Sequence, residues 1–86
     1  MKMTIKGIEI NPGLLNACIS RMEAAPFKAN DIEGVARKHS SQRLSVEVEI
    51  RVADRLIQHF RKQGKIEYSN RYWTWTTIQQ AQGVTG

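Results

Sequence analysis

The sequence predicts one α+β domain in which three helices are followed by a β-hairpin. Three observations predict it. Apolar residues recur at spacings of three and four in three consecutive segments, each opened by a capping signal or closed by a breaker. The period changes to two directly after Gly64. The alternating stretch that follows, "IEYSNRYWTW", holds four of the six aromatic residues, Tyr68, Tyr72, Trp73 and Trp75. At 86 residues the chain has the size of a single domain, which buries roughly 60% of the surface its unfolded state exposes. The expected organisation is an arm or strand over 1–10, a core domain over 12–76 and a frayed tail over 77–86.

In order along the chain, "TIKGIEI" at 4–10 alternates as a short strand or arm would, weakened by Gly7. Asn11-Pro12 signals a helix start, because Asn caps free amides and Pro at the first position loses no needed hydrogen bond. Leu14, Leu15, Cys18, Ile19, Met22 and Ala25 then give a buried face over about 12–24, and Pro26 stops it. Phe27-Lys28 reads as a short extended link. "NDIE" at 30–33 reads as a capping box with Asn30 as the cap and Glu33 reaching back. A second helix follows to about His39, with Ile32, Val35, Ala36 and His39 on one face, and the polar "SSQR" at 40–43 ends it.

The third helix spans 46–62, closed by Gly64 as the left-handed residue past its end. At 100° per residue, Val46, Ile50, Ala53, Leu56, Ile57 and Phe60 share its expected buried face, and Arg51, Arg55, Gln58 and Lys62 form a band about 60° wide opposite. A two-residue turn at Asn70-Arg71 pairs Tyr68 with Trp73 and Ile66 with Trp75. These four side chains are expected to cover the three-helix core, with Tyr72 on the outer face and Arg71 at the tip.

Net charge is +5, and all of the excess lies in one half. Residues 1–36 carry four basic and four acidic side chains, whereas 37–72 carry nine and four. That imbalance suits a polyanion such as nucleic acid. Other chemistries find little support. No apolar run is long enough to span a bilayer and no signal-peptide core is seen, so a soluble, cytosolic protein without membrane contact is expected. Cys18 is the only cysteine, which rules out an internal disulfide. His39 and His59 lack metal-site spacing, Ser40 and Ser41 have no arrangement that would activate them, and the glycines form no phosphate-cradling loop. Neither a metal, a cofactor nor catalysis is expected.

This order of elements, with "VADRLIQHFRKQGKIEYSNRYWTW" at 52–75 as helix and hairpin, resembles the winged helix-turn-helix family over roughly residues 12–76. The resemblance implies duplex DNA as partner, with the third helix entering the major groove and the hairpin, the wing, touching the backbone. By position it implies contacts from Arg51, Arg55, Gln58 and Lys62 on the helix and from Asn70 and Arg71 at the wing tip. Lys28 and Asn30 at the second helix, and Ser41, Gln42 and Arg43 in the turn, are candidates for phosphate. Arg suits guanine and Gln suits adenine. A transcriptional regulator or accessory factor of a bacterium or phage is the implied setting, and a homodimer is compatible with it. Glu47 and Glu49 depart from the pattern, since carboxylates early in the third helix repel phosphate unless they point away. They leave open a winged helix used for protein contact through exposed aromatics or the Ile8/Ile10 arm, and, further off, single-stranded nucleic acid.

Overall fold

The computed structural model describes residues 2–39 and 44–76. It is α+β: a small N-terminal hairpin, three helices, and a C-terminal hairpin. This is the winged-helix layout. Strands β1 (Thr4–Ile5) and β2 (Ile8–Glu9) precede α1 (Pro12–Ala24), α2 (Ala29–His39) and α3 (Val46–Lys62), and β3 (Ile66–Ser69) pairs with β4 (Tyr72–Trp75). The expected tail, 77–86, and the turn at 40–43 lie outside the described residues.

The N-terminal segment is a hairpin rather than a single strand or arm. Lys6 (φ 52°) and Gly7 (φ 77°) both take left-handed backbone, as a type I′ turn requires, so the glycine that weakens a strand makes the turn. Met3 accepts from the Ile10 amide at 2.9 Å, extending the ladder, and Met3, Ile5 and Ile10 are buried.

Helix α1 begins as expected, with the Asn11 side chain accepting from the Gly13 amide at 2.8 Å. At its other end the Arg21 guanidinium donates to the carbonyls of the C-cap residue Ala25 (3.1 Å) and of Pro26 just beyond it (3.2 Å). Helix α2 starts earlier than "NDIE" suggests, which corrects the assignment of Asn30 as cap. Asp31 reaches back to the Lys28 amide at 2.8 Å, and Asn30 is the second helical residue. The shift has a cause. Phe27 is held as a strand by two reciprocal hydrogen bonds to Trp73, 2.9 and 2.8 Å, so the chain turns into the helix at the next residue. The extended link thus serves as a one-residue third strand beside β4.

Helix α3 is capped by Ser45, which accepts from the Val48 amide at 3.3 Å. It ends in paired bonds from Lys65 to the Phe60 carbonyl and from Gly64 to the Arg61 carbonyl, both 3.0 Å, with Gly64 at φ 72°. Its buried face is rotated from the expected one. Val48, Glu49, Val52, Ala53, Leu56, Ile57 and Phe60 are buried, whereas Val46 (59%) and Ile50 (46%) are exposed. His39 of α2 is likewise exposed.

The wing register is the expected one, Ile66 opposite Trp75 and Tyr68 opposite Trp73, around left-handed Asn70 (φ 52°) and Arg71 (φ 72°). The inner end closes on the core: Ile66 and Trp75 are buried, and Trp75 meets Phe60 edge to face at 5.0 Å. The outer end departs from expectation, because Trp73 is only half-buried and Tyr68 keeps 60% of its exposure. The alternation that faces Tyr68 to the same side as Trp75 brings it onto Trp73 and not into the core.

Candidate nucleic-acid interface

The outward stripe of α3 is real. Arg51, Arg55 and Lys62 are exposed and Gln58 is half-buried, one or two turns apart along the same side. Arg55, Gln58 and Lys62 line a shallow groove together with Asp54, His59 and Gln63. Two members of the stripe are already engaged. The Gln58 amide oxygen accepts from Arg61 Nε (3.1 Å) and Nη2 (2.9 Å), so a two-bond contact to adenine requires that pair to open. Arg51 Nη2 lies 3.4 Å from Glu47 Oε1.

The two early glutamates differ in what they do. Glu49 is buried against α2, where Arg37 holds its Oε1 with both Nε and Nη2 at 3.1 Å. It points away from the stripe, and it ties the last turn of α2 to the first turn of α3. Glu47 stays exposed but is bracketed by Lys6 of the β1–β2 turn (2.6 Å) and by Arg51. The hydrogen bond and charge of Lys6, with those of Arg51, hold its carboxyl below the usual carboxylate range. Its negative charge is therefore matched by neighbours, at the cost of occupying Arg51.

A second cationic place lies at the wing. Lys28, Ala29, Tyr68, Arg71 and Trp73 line a cleft between the tip of the hairpin and the start of α2. Lys28 Nζ sits 4.9 Å from the centre of the Tyr72 ring, on the outer face of β4. Asn70 shares the turn with Arg71, and Asn30 is exposed one residue inside α2. Ser41, Gln42 and Arg43 lie outside the described residues.

Sequence reasoning missed Arg61, which lies off the stripe but reaches it through Gln58. The spacing of three was the available signal. It also missed Lys6 as the partner of Glu47, a contact between elements that no local pattern announces. Cys18 offers no chemistry here: it is buried, and burial pushes its thiol up to about 11. Among the described residues no group of three or more His, Cys, Asp or Glu is placed to hold a metal ion, and no helix is long and apolar enough to cross a membrane. Comparison of the chain with known protein families, with curated proteins and with solved structures finds no match.

Proposed function

We propose that this protein binds duplex DNA, with α3 in the major groove and the β3–β4 turn against the backbone. The observation that carries the reading is the row of Arg51, Arg55 and Lys62 exposed on α3 while Glu49 turns inward. Phosphate neutralisation by the basic second half supplies affinity, and the arginines supply what base reading occurs. A regulatory or accessory role in the cytoplasm of a bacterium or a phage-infected cell is the setting that the winged-helix resemblance implies.

The reading is tested by measuring duplex affinity across a salt series for the parent and for Arg51→Ala/Arg55→Ala. Affinity should fall as salt rises, and the double variant should bind more weakly than the parent at every salt concentration. No binding at low salt, or binding indifferent to salt and to the double variant, refutes it.

A second reading has its own observation. Val46 and Ile50 leave an apolar strip on the first half of α3, a feature suited to a protein partner. That reading predicts a complex that survives high salt and is lost in Val46→Ser/Ile50→Ser.

A further inference from the structure

Tyr68 is exposed where alternation alone would bury it, and it does not stand by itself. Its ring meets Trp73 edge to face, 5.1 Å between centres and 61° between planes. An inclined pair of this kind, with Tyr68 still 60% exposed, leaves ring surface open to a stacking partner. Lys28, Ala29 and Arg71 line the same cleft, with the Lys28 ammonium turned to the Tyr72 ring. The cleft is shallow and open to solvent, about 430 Å³ in volume.

The walls are tied to each other. Phe27 and Trp73 exchange two backbone hydrogen bonds, which fixes the start of α2 against the wing. The turn that carries Arg71 has two left-handed residues in a register set by four strand pairs.

We propose that this cleft binds one unpaired nucleotide, the base stacked on Tyr68 and the adjoining phosphate held by Arg71 at the turn. This goes beyond duplex binding, because within a duplex the faces of each base are covered by its neighbours and only an unpaired or frayed base offers a free face. The ligand needs a planar face and a negative charge within one cleft, and a nucleotide has both. The excess of cations over residues 37–72 fits a strand carrying many phosphates better than a peptide carrying one.

The test uses the full chain and three labelled probes: a short oligothymidylate, its abasic counterpart of equal length, and a phosphotyrosine peptide. Affinities are compared for the parent, Tyr68→Leu and Tyr68→Phe, with melting curves to show that the exposed substitutions leave the fold intact. Oligothymidylate should bind about tenfold more weakly to Tyr68→Leu and within about twofold of the parent to Tyr68→Phe. The abasic strand should bind the parent no better than the base-bearing strand binds Tyr68→Leu. Equal affinity for abasic and base-bearing strands, or no loss in Tyr68→Leu, overturns the proposal. Tighter binding of the phosphopeptide than of oligothymidylate overturns it in favour of a protein partner. Duplex affinity of Arg51→Ala/Arg55→Ala is read separately, so failure of the α3 interface and failure of the cleft are distinguishable.

Discussion

The N-terminal hairpin and the wing turn on the same backbone device, two consecutive left-handed residues, Lys6-Gly7 in one and Asn70-Arg71 in the other. They differ in length and in what the turn cation meets. Two-residue strands reach about 7 Å and four-residue strands about 13 Å; the first hairpin packs against α3, and the second carries its turn toward the start of α2. Lys6 lies 2.6 Å from Glu47, and Met3, Ile5 and Ile10 are buried. Arg71 forms no ion pair among the described residues, and Tyr68 and Tyr72 are exposed. One hairpin fastens the chain to its core, and the other is fastened at its base and exposed at its tip.

The largest effect expected from this contrast lies at the base of the wing. Trp75→Ala should cost about 3–5 kcal/mol in urea denaturation, comparable with the ~2–5 kcal/mol expected for Ile5→Ala in the first hairpin. Tyr68→Ala should cost about 0.5–1.5 kcal/mol, the worth of its edge-to-face contact with Trp73. With total stability on the order of 5–15 kcal/mol, the first two threaten the fold and the third does not. A Tyr68→Ala cost close to that of Trp75→Ala would erase the distinction between base and tip.

The wing was legible in the sequence because four consecutive pairs alternate around a turn-forming Asn, whereas two-residue strands are too short to show any period. The three helices were legible for the same reason of length, and the orientation of the third was not. Glu49 lies in the middle of the arc made by Val48, Val52, Leu56, Phe60, Ala53 and Ile57. A carboxylate at that place moves the apparent apolar centre toward Val46 and Ile50. Only the partner on α2, Arg37, makes its burial tolerable, and the pairing spans two elements. Of the candidate site, the α3 stripe followed from helical spacing alone. The engagement of Gln58 by Arg61, of Arg51 by Glu47, and the exposure of Tyr68 depend on rotamers and on where the core ends.

A smaller effect separates the two turns. A non-glycine residue in left-handed backbone costs ~1–2 kcal/mol, offset in part by the ~0.4–1 kcal/mol of unfolded-state entropy that glycine adds. Arg71→Gly should therefore raise stability by about 0.5 kcal/mol while weakening binding of oligothymidylate and of duplex DNA. Opposite signs in the two measurements mark a residue kept for its charge. A fall in stability would show that Arg71 supports the wing, as Lys6 supports its hairpin.

The smallest effect is electrostatic and belongs to the first turn. Lys6 is the leading cause of the lowered Glu47 pKa, and Arg51 adds to it. In Lys6→Ala the carboxyl should titrate closer to its ordinary 4.5 and remain below it through Arg51, as read by NMR of the Glu47 side chain. A carboxyl whose pKa is lowered on folding adds stability above its unfolded value, and that increment disappears as pH falls through the folded value. The stability difference between parent and variant should accordingly be present at neutral pH and shrink once the solution is acidic enough to protonate Glu47. At high salt it should shrink at every pH, since both partners are exposed. A variant whose Glu47 titration is unmoved would show that Lys6 is there for the turn alone, and that both turn cations are equally free to meet a ligand.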